Sequence, residues 1–176
     1  MAIHKLDLND FQDAEYSLYA IHSEAEDYRL AHAINLRLKT RLRRLKKDLD
    51  FSTSKNLFFS LFEWEDSDLK SQWNLIKNSC QVELESTGQG LFSNQEEKNF
   101  QTIRLLKEHA AVDYFLKISG SYISEKLTLE SLSKIPQISL VYAVEVHALK
   151  SKEYLIINKC HTKEKKQKLL PLWGPL

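Results

Sequence analysis

The sequence predicts an α+β protein: a largely antiparallel sheet of about five to seven strands, with two main helices on one face. An amphipathic helical pattern follows an N-terminal strand pattern, and a second, shorter helical pattern lies near residue 130. Between them, residues 42–119 carry a run of strand patterns and no helix. An all-parallel sheet needs a crossover connection between neighbouring strands, so helices at the two ends of a strand run favour the antiparallel arrangement.

The first strand and the first helix have the clearest patterns. Tyr16 to His22 is a short aromatic and apolar run, which is typical of a strand. Ser23 and Glu26 have the spacing of a capping box, in which each side chain satisfies the other residue's backbone N–H. Apolar residues then recur at every fourth position, at Leu30, Ile34, Leu38 and Leu42. We expect a helix over about residues 24–41.

The same criteria assign the rest of the chain. Candidate strands cover 56–65, 72–77, 100–106, 112–119 and 138–146, with a less regular strand near Leu45, Leu49 and Phe51. The apolar spacing from Leu127 to Ile135 predicts a short helix that Pro136 ends. Residues 85–99 are polar and contain two glycines, which predicts a surface loop. Residues 148–157 suit an additional helical turn.

Length and composition indicate one ordinary globular domain. The chain has 176 residues, of which 43% are hydrophobic and 28% charged. We expect a single domain over residues 1–158, and a tail over 159–176 that is first basic and then apolar. The N-terminal residues lack the apolar run of a signal peptide, and no segment has the length of a membrane span. These features predict a cytoplasmic protein with no membrane partner.

A formal net charge of +1 conceals a strong segregation of charge along the chain. Residues 1–28 contain seven acids and one lysine, whereas residues 29–47 contain eight bases and no acid. Residues 48–68 are again acidic. Such blocks are either surfaces for charged partners or complementary surfaces that meet within the fold.

Catalytic and metal-binding patterns are weak. Glu108, His109, Asp113 and Tyr114 form the nearest approach to a catalytic cluster, because a carboxylate can orient an imidazole that acts as a base. The structural alternative is that Tyr114 packs while Asp113 binds backbone or a base such as Arg29. The histidines lack metal-binding spacing, and no P-loop, dinucleotide fingerprint or nucleophile elbow occurs. We predict no catalytic residues, no metal site and no cofactor.

The segment 106–120 carries a family resemblance. Glu108, followed four residues later by Val112, Asp113 and Tyr114, resembles the second half of the signature of the IPExxxVDY proteins, a small bacterial family. Leu and Lys at 106–107 stand where the family has Ile and Pro.

Two further blocks extend the resemblance over about residues 5–157. Residues 27–31, with Asn35, are similar to a DYRLA segment of the family, and residues 149–153, with Leu155, are similar to its LKSKE segment. The family has no established biochemical activity, so the resemblance implies a fold type and no chemistry.

Two functions remain open. The first is a non-catalytic protein-binding or structural module, whose candidate binding residues are the polar or aromatic members of the resembling blocks: Asp27, Tyr28, Arg29, Asp113 and Tyr114. The alternative is an RNA-binding accessory protein that uses the basic segment 37–47. Its candidate phosphate-binding residues are Arg37, Lys39, Arg41, Arg43, Arg44, Lys46 and Lys47. The flanking acidic blocks could equally neutralise these bases within the fold. The sequence does not determine the oligomeric state.

Overall fold

The computed structural model describes residues 16–46, 49–50, 57–84, 99–120, 124–155 and 157. The strands, in chain order, are β1 (Tyr16–His22), β2 (Arg43–Arg44), β3 (Leu49–Asp50), β4 (Phe58–Phe59), β5 (Leu61–Asp66), β6 (Ser71–Lys77), β7 (Ser79–Leu84), β8 (Asn99–Arg104), β9 (Tyr114–Gly120) and β10 (Leu140–Val144). The α-helices are α1 (Asp27–Leu38) and α2 (Glu125–Ser133). Short 3-10 helices span Lys107–His109, Val146–Ala148 and Lys152–Leu155.

Six of these strands form one sheet in the order β10-β1-β9-β6-β5-β2, and every neighbouring pair is antiparallel. The other strands form two antiparallel ribbons, β3 with β4 and β7 with β8. Both α-helices contribute to the core cluster on one face of the sheet, and they contact each other there. The predicted α+β class, the largely antiparallel sheet and the two helices on one face are confirmed.

Both faces of the sheet are buried, each by its own core cluster. Successive residues of a strand point to opposite sides and therefore join different clusters. In β1, Tyr19 and Ile21 face the helices, whereas Leu18 and Ala20 face the opposite side. That opposite side is covered by β4, β7, the residues that precede β9, and the segment 149–155. Burial on both faces explains why the central strands are apolar over most of their length.

The first helix begins later than the predicted range of 24–41. Its N-cap is Glu26, which makes no side-chain capping bond, so the predicted capping box is wrong. The hydroxyl of Ser23 instead accepts a hydrogen bond from the Ala25 amide and donates to the carbonyl of Gln137. Ser23 therefore links the loop before α1 to the loop after α2.

The helix also ends earlier than predicted, at Leu38, because the next residue, Lys39, adopts a left-handed conformation with φ 56°. The side chain of Asn35 stabilises the turn that follows. Its oxygen accepts hydrogen bonds from the Thr40 hydroxyl and the Leu42 amide, both at 2.8 Å, and its nitrogen donates to the Leu42 carbonyl. Leu42 is buried, so it joins the predicted apolar stripe from outside the helix.

Several strand boundaries also differ from the prediction. The predicted strand 56–65 is divided at Ser60 into β4 and β5, whereas the hairpin partner 72–77 is confirmed as β6. The sequence did not predict β7, which pairs with β8. Except for Asn99, which belongs to β8, the predicted loop 85–99 lies outside the described residues.

The C-terminal elements are shorter than predicted. The strand predicted over 112–119 begins at Tyr114, and the strand predicted over 138–146 is reduced to β10. The helical turn expected within 148–157 is a 3-10 helix. The predicted tail, 159–176, lies outside the described residues, and the domain boundary at 158 stays a prediction.

Asn78, which connects β6 to β7, is fully buried, and both its backbone and its side chain are hydrogen-bonded. Its partners are the Asp113 carbonyl and Leu105 amide through its backbone, and the His109 carbonyl, Val112 carbonyl and Leu106 amide through its side chain, all at 2.8–2.9 Å. Burying an amide without such partners is costly. Asn78 therefore fixes the segment 105–113 against the bend between the two strands.

We predict that Asn78→Ala lowers the free energy of unfolding by about 3–5 kcal/mol, since it leaves the buried Leu106 N–H and the Val112 carbonyl without their partner and removes one of the two hydrogen bonds to the His109 carbonyl. Urea denaturation measures this change. The exposed Gln101→Ala serves as the control and should change stability by no more than about 0.5 kcal/mol. A loss below about 1 kcal/mol for Asn78→Ala would contradict the assignment.

Candidate functional site

The loop that precedes α1 is fastened by two residues at the start of β9. The Asp113 carboxylate accepts a hydrogen bond from the Ser23 amide at 3.0 Å. The Tyr114 hydroxyl donates to the Ala25 carbonyl at 2.7 Å. The two side chains thus connect the sheet to the loop that leads into the helix that covers it.

Tyr114 remains protonated in this position. The side chain is buried, and this burial raises the pKa of the hydroxyl. The negative charges of Asp27, Glu26 and Asp113 raise it further, because they oppose a phenolate. The hydroxyl is therefore a hydrogen-bond donor that holds the loop, and it is poorly suited to act as a base.

Tyr28 and Arg29, by contrast, lie on the outer surface of α1. The Tyr28 side chain is 57% exposed. The Arg29 Nε donates to the Tyr28 hydroxyl at 3.2 Å, and the guanidinium carbon lies 5.9 Å from the centre of the ring. Asp27 forms an ion pair with Arg44 of β2 at 3.0 Å. Among the described residues, no ion pair joins Arg29 to Asp113.

The structure therefore brings the five candidate binding residues together around the start of α1, where they have two roles. Asp113, Tyr114 and Asp27 hold chain segments in place. Tyr28 and Arg29 are presented to solvent as an aromatic and cationic pair.

The four residues of the candidate catalytic cluster point in different directions. The Glu108 carboxylate accepts hydrogen bonds from the amides of Lys150 and Ser151, at 3.0 and 3.2 Å, and from the Ser151 hydroxyl at 3.0 Å. The His109 ring meets the edge of Phe115, with centroids 6.1 Å apart. The other two members of the cluster face the loop before α1. In the part of the chain that the structure describes, no hydrogen bond joins the imidazole to a carboxylate.

The pKa of the Glu108 carboxyl is lowered. Partial desolvation opposes ionisation, but the hydrogen bonds from Ser151 and Lys150 outweigh it by favouring the charged form. The carboxylate thus holds the start of the segment 149–155, which covers the core on the opposite side of the sheet from the helices.

A lysine inside the sheet holds the other end of that segment. The Lys117 ammonium donates to the Leu155 carbonyl at 2.7 Å and lies 4.5 Å from the centre of the Tyr16 ring. Burial lowers the pKa of this amine. Glu108 and Lys117 together attach the segment through charge-assisted hydrogen bonds, and Leu155 is buried in the core cluster on that side of the sheet.

The basic segment 37–47 contains less helix than predicted, because α1 ends at Leu38 and not near residue 41. Its bases lie in the last turn of α1, in the turn that follows and in the edge strand β2. All of its described bases are exposed: Arg37, Lys39, Arg41, Arg43, Arg44 and Lys46. Lys47 lies outside the described residues. The ion pair between Arg44 and Asp27 brings the basic block into contact with the N-terminal acidic block.

The surface formed by the described residues includes two open depressions. One, of about 410 Å³, lies between the β5–β6 turn and the end of β9. The other, of about 370 Å³, lies beside β2 and is lined by Arg41, Arg43, Leu45, Glu63, Trp64 and Glu65.

Within the described ranges, no group of three His, Cys, Asp or Glu side chains is placed to hold a metal ion. The helices of those ranges are too short and too polar to cross a bilayer.

Sequence reasoning missed three residues that organise this region. An Asn that follows a strand pattern indicates a turn, but it does not reveal that Asn78 is buried. Asn35 has the polarity of an exposed helix residue, and Lys117 alternates with apolar neighbours as a solvent-facing strand residue does. Their roles depend on contacts between distant segments, which a single sequence does not display.

Comparison with known proteins identifies no relative: no family model matches the chain, and neither a curated protein nor a solved structure is significantly similar to it. The functional argument therefore depends on the residues themselves.

We predict that Glu108→Gln destabilises the protein at neutral pH by no more than about 1 kcal/mol, since solvent screens an exposed carboxylate. The folded-state pKa of Glu108 lies below its ordinary value of 4.5. Its contribution is therefore complete above pH 4.5 and is lost as the pH falls through the lower folded-state value. The stability difference between the wild type and the variant should disappear in that range.

Urea denaturation at a series of pH values measures this difference. Glu24→Gln, at another exposed glutamate, is the matched control, and it should leave stability unchanged to within about 0.5 kcal/mol at neutral pH. A wild-type advantage over Glu108→Gln that grows on acidification would contradict the proposed role of the charged carboxylate.

Proposed function

We propose that the protein is a non-catalytic protein-binding module of the cytoplasm, of the type represented by the bacterial IPExxxVDY family, and that it binds its partner through the first turn of α1. The observation that carries this proposal is that the residues around that turn have two separate roles. The interior polar residues are committed to holding the chain, whereas Tyr28 and Arg29 are exposed beside each other.

The polar residues that hold the chain in place argue against catalysis, because their hydrogen-bonding groups are already bound. Glu108, Asp113 and Tyr114 all belong to the resembling blocks, and each makes hydrogen bonds to backbone groups of a distant segment. Catalytic groups usually converge on a pocket with unspent hydrogen-bonding capacity. Here the same residue types support the fold, as expected for a binding scaffold.

The exposed residues suit a protein interface. Tyr and Arg are the residue types most often found at energetically important positions of such interfaces. Tyr28, His32 and Leu36 follow each other at intervals of four residues along the exposed side of α1, and Leu36 is 70% exposed. An aromatic and an aliphatic side chain on one stripe offer apolar contact area, and Arg29 adds a directional donor.

A second candidate function, RNA binding, is favoured by the bases around the edge strand β2. Arg37, Lys39, Arg41, Arg43 and Lys46 are all exposed in this region. Phosphate groups bind such clusters by releasing counterions. Glu63 and Glu65 line the depression beside the bases, and their negative charge opposes a polyanion at that position.

We predict that Tyr28→Ala combined with Arg29→Ala abolishes the capture of a protein partner, with at least about a tenfold loss of captured material. The measurement is affinity capture from cell extract treated with ribonuclease, followed by mass spectrometry. Phe100→Ala, at an aromatic residue that is 60% exposed on β8, is the matched control and should retain the partner. Equal capture by the double variant would contradict the assignment of the surface.

The second candidate gives a different result in its own assay. Arg41→Glu combined with Arg43→Glu should weaken RNA binding at least about tenfold and reduce its salt dependence, if RNA is the ligand. Filter binding at several salt concentrations measures both quantities. We expect the wild type to show only weak, non-specific binding. Tight, salt-dependent binding that the charge reversal removes would establish the second candidate.

A further inference from the structure

The two edges of the central sheet have opposite characters. The β2 edge consists of two exposed arginines, Arg43 and Arg44. The β10 edge contains five residues, Leu140–Val144, with no charge and no proline. Exposed strand edges pair readily with other strands, and charge is one of the common means of preventing this. The β2 edge is therefore protected, and the β10 edge lacks that protection.

The hydrogen bonds of β1 show which main-chain groups of β10 point outward. The Ile21 carbonyl accepts from the Asp113 amide, on the β9 side of β1, whereas the His22 carbonyl accepts on the β10 side. Because the groups of an antiparallel strand alternate in direction, Tyr142, opposite Ala20, bonds to β1. The amides and carbonyls of Val141 and Ala143 therefore point away from the sheet. Within the described residues, no hydrogen bond reaches them.

The faces of β10 are already covered by this chain. Val141 and Ala143 pack against the helix-side core, and Tyr142 and Val144 pack against the opposite core. In the part of the chain that the structure describes, no segment covers the row of outward N–H and C=O groups. The structure that satisfies such a row is another extended strand.

We infer that β10 pairs with β10 of a second copy of this chain in the antiparallel direction, joining two sheets into one continuous sheet. The two-fold axis passes beside Tyr142 of each copy. Val141 lies opposite Ala143 of the second copy, so the outward amide and carbonyl of each residue meet their counterparts. This inference concerns a surface separate from the first turn of α1 and does not depend on the proposed function.

The charge pattern favours a second copy as the occupant. In this register Leu140 lies opposite Val144, and the flanking residues Ser139 and Glu145 lie opposite each other, so no like charges meet. Self-pairing of the β2 edge would place arginines opposite arginines, which is destabilising. A two-fold pairing of this kind is self-complementary and closed, so it stops at a dimer.

Val141→Pro tests the pairing, because proline removes the outward amide without removing a hydrogen bond to β1. Val141→Ala is the matched control, since it shortens the same side chain and keeps the amide. Analytical ultracentrifugation over a range of concentrations should show a wild-type dimer whose dissociation constant rises at least about tenfold in Val141→Pro and by less than about threefold in Val141→Ala. A monomeric wild type, or equal association of the two variants, would overturn the inference.

Hydrogen exchange of the wild-type protein tests the same pairing without a variant. The amides of Val141 and Ala143 should exchange at least about tenfold more slowly in concentrated than in dilute samples, while the Tyr142 amide stays protected in both. A dimer without this change would show that association uses another surface. A monomer in which both amides are protected would show that this chain covers its own edge, and either result contradicts the inference.

Discussion

The side-chain amide of Asn78 controls how the chain enters β9. It binds the carbonyls of His109 and Val112 and the amide of Leu106. These three hydrogen bonds fix the backbone course of the segment between β8 and β9. That course places Tyr114 opposite Ile21 of β1 and Lys77 of β6. A shift by one residue would exchange every side chain of β9 between the two faces of the sheet. A single buried polar residue thus decides which side chains support the helices.

The contacts around α1 follow from this register. With Tyr114 on the helix side, its hydroxyl reaches the loop before α1, and the Asp113 carboxylate reaches the same loop from just outside the strand. With Lys117 on the other side, its ammonium reaches the segment that closes the opposite core. The exposed Tyr28 is therefore presented on a turn that the sheet itself holds. Such preorganisation limits the entropy lost when a partner binds.

The sequence predicted those elements that local composition determines. β1 has the predicted boundaries, and the β5–β6 hairpin and both α-helices are present, because aromatic and apolar runs and periodic apolar spacing are local features. The predicted C-terminal end of α1 was wrong because the side chain of Asn35 stabilises a turn that competes with further helix. β7 was missed although Ser79–Leu84 alternates strictly between polar and apolar residues, which is the pattern of a strand with one buried face. The candidate site was predicted as a set of residues, but its division into exposed and interior members depends on tertiary contacts.

Native-state hydrogen exchange in low denaturant tests this account most directly, because it reports the opening of individual hydrogen bonds. The Leu106 amide bonds to Asn78, and the Ser23 amide bonds to Asp113. If Asn78 controls the register that places Asp113, both amides belong to one cooperative unit. Their opening free energies should then be equal and fall with denaturant at the same slope. A Ser23 amide that opens several kcal/mol more easily than the Leu106 amide would contradict the account.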